Sequence, residues 1–141
     1  AQISEAQPIS VRQETIQIYL AAPFFTLADT MMLAEGRRSL LGLGVKVFSQ
    51  LHHVGIGSNK KTIVKKDIAG LRKSDAVLAL LHNYDPGTIF EVGYARSKGI
   101  PVVVFTEHAL EKDLMMFVGT DCQIESDFCS ALYKSAWAGL G

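Results

Sequence analysis

The chain has 141 residues, 48% of them hydrophobic, and its 14 basic residues balance its 14 acidic residues. This length fits one domain, and the composition argues against disorder and against a nucleic-acid-binding groove. No apolar run approaches the ~20 residues that a membrane-spanning helix needs, and the first residues lack the pattern of a secretory signal. We therefore expect a cytoplasmic protein that binds neither nucleic acid nor a membrane.

The chain has two cysteines, Cys122 and Cys129. Because they form no CxxC motif and have no histidine at ligand spacing, we expect reduced thiols and no metal site. Residues 1–14 are polar and unpatterned, which predicts a flexible tail or linker before a domain formed by residues 15–141. Since the chain begins with Ala, both processing and excision from a longer polypeptide stay open.

The first half of the domain predicts a strand, a helix and a second strand. Thr15–Ala22 is β-branched and apolar enough for a central strand. Thr26 and Asp29 have the spacing of a capping box before a helix that extends to about Leu41. Four apolar residues lie roughly on one stripe of this helix: Leu27, Met31, Ala34 and Leu41. Val45–Phe48 is the second predicted strand.

The loop Ser49–Ser58, with two histidines and two glycines, leads to a second predicted helix. Asn59 is its N-cap, and it extends to about Lys73. Asp67 shares its inward side with three apolar residues and is out of place there unless something polar lies beneath it. An ion pair with a nearby lysine is the ordinary explanation, and we interpret the lysine cluster of this helix as a solvated face. Residues 75–81 form a continuous apolar strand, typical of a parallel sheet that is buried on both faces.

The stretch Asp85–Phe105 combines a turn, a helix and a buried strand. It opens with Asp-Pro-Gly, a turn signal, and then places Thr88 at the expected N-cap, with Glu91 three residues later as in a capping box. The apolar face of this helix is predicted to consist of Phe90 and Tyr94 and, less strongly, of Val92 and Ala95. Gly99 ends the helix, and Pro101–Phe105 is the strand.

Glu91 has two interpretations. A Glu three residues after a Thr is in many proteins only a cap. A carboxylate in the first helical turn, beside a glycine-containing loop, also stays ionised because the helix N-terminus favours negative charge. That property suits a nucleophile or a base.

The remaining segments complete an α/β pattern. Glu107–Val118 predicts one helical turn, and Ser126 is the expected cap of a last helix that buries Phe128, Leu132 and Trp137. Strands that alternate with helices predict a flavodoxin-like α/β fold, an open and mostly parallel sheet with helices on both faces. Ligands bind such sheets beyond the carboxyl ends of the strands. Three segments fall at that edge: Tyr19–Phe25, Ser49–Ser58 and His82–Glu91.

The run Asp85-x-Gly-x-x-x-Glu91-x-Gly-Tyr-Ala resembles the active-site segment of the nucleoside 2-deoxyribosyltransferase family. In that family the Glu attacks the sugar, so the resemblance implies that Glu91 is the nucleophile. The resemblance covers roughly Ile16 to Asp121. It implies that Tyr19 holds Glu91, that Phe25 borders the base pocket, and that two further acids face the base, namely Asp67 and Asp85. Gly87, in the same turn as Asp85, is assigned to substrate binding.

The segment that begins at Asp113 resembles the one that reaches into a neighbouring subunit's site. It implies at least a homodimer, with Asp113 on the sugar 5′-hydroxyl and Met115 completing the neighbour's pocket. An anionic Asp113 would repel a phosphate, which favours nucleosides over nucleotides. The loop after the second strand is more similar to the related deoxynucleoside-monophosphate N-hydrolases. There His52 or His53 could contact a phosphate or a base, although a loop histidine is more often merely exposed.

We therefore predict an enzyme that cleaves the N-glycosidic bond of 2′-deoxynucleosides. Glu91 attacks the sugar, Asp85 or Asp67 helps the base to leave, and a second base or water takes the sugar. Asp85 in a turn often only bonds its own backbone, so its role depends on the resemblance. No metal or organic cofactor is needed, because the carboxylates carry the chemistry. Two alternatives stay open: a deoxynucleoside-monophosphate N-hydrolase, and a non-catalytic nucleotide-sensing module of a larger protein.

Overall fold

The structure is a computed structural model, and it describes residues 16–53, 59–107 and 114–141. Within these ranges five strands form one parallel sheet in the order β2-β1-β3-β4-β5. The strands are β1 (Gln17–Ala21), β2 (Lys46–Phe48), β3 (Ala76–Leu80), β4 (Val102–Phe105) and β5 (Gln123–Glu125). This is the strand order of flavodoxin-like proteins, so the predicted fold class is confirmed.

The described ranges also contain six helices, which cover both faces of the sheet. They are α1 (Leu27–Gly42), α2 (Gln50–His53), α3 (Lys60–Arg72), α4 (Pro86–Ser97), α5 (Met115–Gly119) and α6 (Phe128–Leu140). Helices α1 and α6 pack on one face, and α3, α4 and α5 pack on the other. None of the helices in this part of the chain is long and apolar enough to cross a membrane.

Alternate residues of β1 point into two separate hydrophobic cores. Ile18 and Leu20 contact the core beneath α1 and α6, whereas Tyr19 and Ala21 contact the core beneath α3, α4 and α5. The neighbouring strand β3 is buried at every position, as the continuous apolar run predicts. The alternation places the side chain of Tyr19 on the same side of the sheet as the helices that carry Asp67 and Glu91.

Helix α1 begins with the predicted capping box, but its buried stripe differs from the predicted one. The Thr26 side chain accepts a hydrogen bond from the Asp29 backbone N at 3.1 Å, and the Asp29 carboxylate accepts one from the Thr26 backbone N at 3.2 Å. The predicted stripe is wrong, because all four of its residues are exposed. The buried stripe instead consists of Asp29, Leu33, Gly36 and Leu40. Because two of its four residues are an acid and a glycine, the buried stripe does not show apolar spacing in the sequence.

Helix α4 starts earlier than predicted, and Thr88 is not its N-cap. Asp85 is the cap, Pro86 takes the first helical position, and the Asp85 carboxylate accepts a hydrogen bond from the Thr88 backbone N at 2.9 Å. The fixed φ of proline favours that position, which moves the boundary back by three residues. Glu91 therefore lies in the second turn and is not part of a capping box. The predicted apolar face is also shifted, since Phe90 is exposed while Val92 and Ala95 are buried.

The C-terminal region departs from the prediction in three details. Asp127, rather than Ser126, caps α6 by accepting a hydrogen bond from the Ser130 backbone N at 2.8 Å. Trp137 is 69% exposed and not buried, whereas Leu132 is buried as predicted. The short strand β5 was not predicted. In the first half of the domain, the short helix α2 was also not predicted. Asn59 caps α3 as predicted, and the predicted tail, residues 1–14, lies outside the described residues.

Candidate active site

A cleft of about 550 Å³ opens beyond the carboxyl ends of β1, β2 and β3. Its walls come from the loop after β1, the start of α2, the middle of α3 and the start of α4. The cleft contains Phe25, Asp67, Asp85, Gly87 and Glu91 among its lining residues. The fold thus brings together five of the site residues that the sequence singled out, from segments far apart in the chain.

Tyr19 lies beneath the cleft and donates a hydrogen bond from its phenol to Oε2 of Glu91. Its side chain is 1% exposed. Burial, the nearby charge of Glu91 and the hydrogen bond to it all raise the pKa of Tyr19 well above its usual value. The phenol therefore keeps its proton and remains a donor whenever Glu91 is ionised.

Burial, a hydrogen bond and two nearby charges set the pKa of Glu91. Burial raises its pKa, the hydrogen bond from Tyr19 opposes that rise, and the charges of Asp67 and Asp85 add to it, so that the pKa is about 7. The expectation that Glu91 lies in the first helical turn, beside the helix N-terminus, is wrong. Glu91 is in the second turn of α4, and burial is the largest influence on its pKa.

Asp67 is the acid on the inward side of α3, and it is 8% exposed. Its Oδ1 is buried and has no hydrogen-bond partner among the described residues. Burial raises its pKa to about 6. The structure shows no ion pair of Asp67 with a lysine in the described part of the chain, and its charge instead raises the pKa of Tyr19 and of Glu91. The polar group that its inward position requires is thus the Tyr19–Glu91 pair.

Asp85 and Gly87 form the rim where α4 begins. Oδ2 of Asp85 accepts hydrogen bonds from the backbone N of Thr88 at 2.9 Å and from its hydroxyl at 3.0 Å. A Cβ at Gly87 would lie 3.2 Å from the same oxygen, so that glycine leaves this cap undisturbed. On the opposite wall Phe25 is 76% exposed, and its ring stacks on Phe24 with 5.4 Å between centroids.

The other predicted site residues are not in the described lining of the cleft. Met115 begins α5 and is 69% exposed. The backbone of His53 ends α2, but its side chain lies outside the description, as does all of Asp113. In the described ranges no cluster of three or more His, Cys, Asp or Glu side chains could hold a metal ion, and Cys122 and Cys129 are both free.

Two features of this region were missed from the sequence. Gln50 lines the cleft. It follows β2 by two residues, at the edge where ligands bind such sheets, and this position could have identified it from the sequence. Asp29 is 3% exposed, and its Oδ1 lies 2.7 Å from Nε2 of His82. Its Oδ2 accepts a hydrogen bond from the backbone N of Phe25 at 3.3 Å, so this acid ties the end of β3 to the Phe25 wall. No local sequence pattern joins two residues so far apart.

A buried phenol–carboxyl pair beside a second buried acid defines a cleft suited to acid–base and nucleophilic chemistry. The family model of nucleoside 2-deoxyribosyltransferases matches residues 18–127. The chain belongs to this family, which confirms the resemblance. Family membership supports an enzyme of deoxyribosyl transfer or N-glycoside cleavage that acts on small-molecule nucleosides.

Three solved structures are similar to this chain. A 2-deoxyribosyltransferase from Bacillus psychrosaccharolyticus is 27% identical, with a TM-score of 0.69 over 82% of this chain and 90% of that one. One from Leishmania mexicana is 23% identical, with a TM-score of 0.68 over 86% and 97%. A CMP N-glycosidase from Clostridium botulinum is 18% identical, with a TM-score of 0.62 over 84% and 96%. The last two share the fold. A comparison with curated proteins gave no match.

Proposed function

We propose that the protein cleaves the N-glycosidic bond of 2′-deoxynucleosides through a covalent deoxyribosyl intermediate on Glu91. The observation that carries this proposal is that Glu91 and the buried acid Asp67 line one cleft, with Tyr19, the donor to Glu91, directly beneath it. Residues 15–141 would form the catalytic domain. The sugar then passes to a second nucleobase or to water.

In the first step, Oε1 of Glu91 attacks the anomeric carbon of the sugar. The new C–O bond forms as the C–N bond to the base breaks, and the electron pair of that bond passes to the base nitrogen. Tyr19 orients Glu91 by holding its Oε2. Because the pKa of Glu91 is about 7, about half of the molecules carry the ionised nucleophile at neutral pH.

The leaving base needs a proton, and Asp67 is the better donor of the two acids considered. Asp67 lines the cleft, and its pKa of about 6 keeps part of the population protonated near neutral pH. Asp85 instead uses Oδ2 to cap α4. We therefore assign proton donation to Asp67 and contact with the base to Asp85.

The second step reverses the first. A nitrogen of the incoming base attacks the anomeric carbon, the C–O bond to Glu91 breaks, and the electron pair returns to the carboxylate. Asp67 takes the proton that the incoming base loses. Water can replace the base, with its proton passing to Asp67 and the free sugar as product.

The charges of the cleft support nucleosides over their monophosphates. Every charged residue in its described lining is an acid: Asp67, Asp85 and Glu91. A phosphate carries about −1.5 to −2 charges near neutral pH, so these acids would repel it. We propose that Phe25 and Gly87 contact the base and Asp113 the 5′-hydroxyl, with His53 near the base or the 5′ group.

Helix α5 supports a second copy of the chain as a partner. Met115, Met116 and Val118 are 69%, 69% and 56% exposed, which is unusual for three apolar residues on one short helix. We propose that Met115 and Asp113 complete the pocket of the neighbouring copy in at least a homodimer. Light scattering combined with an activity assay tests this, since a strictly monomeric protein with full activity would refute it.

The experiment that tests the function is incubation with a deoxynucleoside, with and without a second free base, followed by separation of the products. Transfer gives a new nucleoside, and hydrolysis gives free base and deoxyribose. Intact-protein mass spectrometry after rapid acid quench should show the deoxyribosyl adduct in the wild type and none in Glu91→Gln. If monophosphates react at least about tenfold faster in kcat/KM than nucleosides, the N-hydrolase alternative replaces this proposal. If neither class of substrate is cleaved, the enzymatic proposal is refuted.

A further inference from the structure

The ring of Phe48 is wedged between Tyr19 and the backbone of α3. Its centroid lies 5.4 Å from that of Tyr19, and the two planes differ by 17°, so the rings are stacked. On its other side, a Cβ built at Gly70 would lie 2.6 to 2.7 Å from three atoms of the Phe48 ring. Real Cβ atoms do not approach so closely, so only glycine lets α3 lie directly on this ring.

The position of Phe48 follows from the sheet. Phe48 is the last residue of β2 and is in register with Tyr19 of β1, so both side chains point to the same face. β2 is the outermost strand beside β1 in the described sheet. Phe48 therefore forms the outer side of the space that holds the Tyr19 ring. The phenol at the far end of that ring is the donor to Glu91.

The same contact bears on Asp67. Gly70 lies three residues after Asp67 on α3, and residues at that spacing share one helix face. The approach of α3 to the sheet at Gly70 thus sets the depth of Asp67 above Tyr19 and Glu91. Substituting Gly70 by a larger residue would move the helix or the ring, and either movement changes the site.

We propose that Phe48, held against Gly70, is a positioning residue that fixes the ring of Tyr19 and thereby the carboxylate of Glu91. This proposal rests on the proposed role of Glu91 as the nucleophile. Phe48 is not in the described lining of the cleft, so it acts through Tyr19 and not on the substrate. The chain of contacts runs from Gly70 through Phe48 and Tyr19 to Glu91.

The proposal makes a prediction about acidity that a merely stabilising residue would not make. The hydrogen bond from Tyr19 lowers the pKa of Glu91 against the effect of burial. If the Tyr19 ring tilts, this bond weakens and the pKa rises. A nucleophile must be ionised, so the acidic limb of the kcat profile moves to higher pH.

The test uses Phe48→Leu, which removes the stacked ring, and Gly70→Ala, which displaces it. With a nucleoside whose base leaves without a proton, we expect each to lower kcat at pH 7 at least about twofold with little change in KM, and to shift the acidic limb upward by at least about half a pH unit. The double variant should lose no more than the worse single variant, because both act on the same ring. If Gly70→Ala does not fold, Phe48→Leu, which only removes atoms, carries the test.

Two matched controls lie on the opposite face of the sheet. Phe128→Leu removes a half-buried ring that meets Phe105 edge-on at 5.2 Å. Gly139→Ala introduces a Cβ 2.8 Å from a side-chain carbon of Ile16. Both should lower stability while leaving the acidic limb in place.

A direct titration separates this proposal from the proposed function. The ¹³C carboxyl signal of Glu91, assigned by its loss in Glu91→Gln, reports the pKa of Glu91 without any substrate. A rise of that pKa in Phe48→Leu supports the positioning role even if the wild type turns over no nucleoside. If folded Phe48→Leu and Gly70→Ala titrate like the wild type, or if the controls shift equally, the proposal is overturned.

Discussion

Replacing Tyr19 by Phe removes one buried hydroxyl and leaves Oε2 of Glu91 without its donor. A hydrogen bond to a charged group is worth about 1.5–3 kcal/mol. One pKa unit corresponds to ~1.4 kcal/mol. Since the bond favours the ionised carboxylate, its loss should raise the pKa of Glu91, now about 7, by roughly one to two units.

The consequence for activity depends on pH. At pH 7 about half of the wild type carries the ionised nucleophile, whereas in Tyr19→Phe the ionised fraction falls to roughly a tenth or a hundredth. For a deoxynucleoside whose base leaves without a proton, and so does not need protonated Asp67, we expect kcat/KM to fall about 5- to 50-fold at pH 7 and to recover substantially at about pH 9. The assay is the profile of kcat/KM between about pH 5 and pH 9, compared with the profile of the wild type.

Tyr133→Phe is the matched control, because Tyr133 is 59% exposed on α6, on the other face of the sheet. It should leave the profile unchanged. An acidic limb that stays in place in folded Tyr19→Phe would show that the ionising nucleophile is not the partner of Tyr19. A loss that is equal at all pH values would mean that the phenol contributes geometry but no control of acidity.

Three further predictions concern neighbouring acids. Glu91→Gln should abolish turnover. In urea unfolding at about pH 8 it should also be about 1–3 kcal/mol more stable than the wild type. The folded pKa of Glu91 is raised, so the buried carboxylate costs the wild type stability as pH rises from the unfolded pKa through about 7. Equal stabilities would show that Glu91 is not desolvated. Asp67→Asn should lower kcat at least about tenfold for poor leaving bases and much less for bases that leave without a proton, as measured with a series of nucleosides. A uniform loss would remove Asp67 as the proton donor. Asp29→Asn should destabilise the fold above about pH 5. Burial raises the pKa of Asp29, but its hydrogen bonds, of which the bond from His82 is the strongest, lower the pKa overall. That advantage of the wild type is lost as pH falls through the folded pKa, and a constant difference in urea midpoints down to about pH 2 would contradict the assignment.

The fold was predictable because its central strands have local patterns that tertiary packing reinforces. The run that becomes β3 is apolar at every position, which only a strand covered on both faces requires. The acid at position 67 was also detectable, since it interrupts the inward face of an otherwise ordinary amphipathic helix. Both signals lie within a single element and need no knowledge of its neighbours.

The unpredicted features depend on contacts between distant elements or on competition between two local signals. Asp85 and Thr88 both offer a cap, and the proline between them decides the outcome. The buried stripe of α1 could not be identified from the sequence, because its buried Asp29 contacts His82, a residue that only the sheet brings near. The contact of Gly70 with Phe48 likewise depends on the strand order, since β2 must lie beside β1.

The pKa values of Glu91 and Asp67 affect when the proposed active site can react. In the free protein burial raises the pKa of Glu91 to about 7 and the pKa of Asp67 to about 6, and the charge of Asp67 adds to the rise at Glu91. The proposed mechanism needs the proton on Asp67 and an ionised Glu91. A nucleobase in the cleft would cover the part of Asp67 that lines it, while Glu91 keeps its bond to Tyr19. Binding of the base should therefore raise the pKa of Asp67 more than that of Glu91, which favours the arrangement that the proposed mechanism needs.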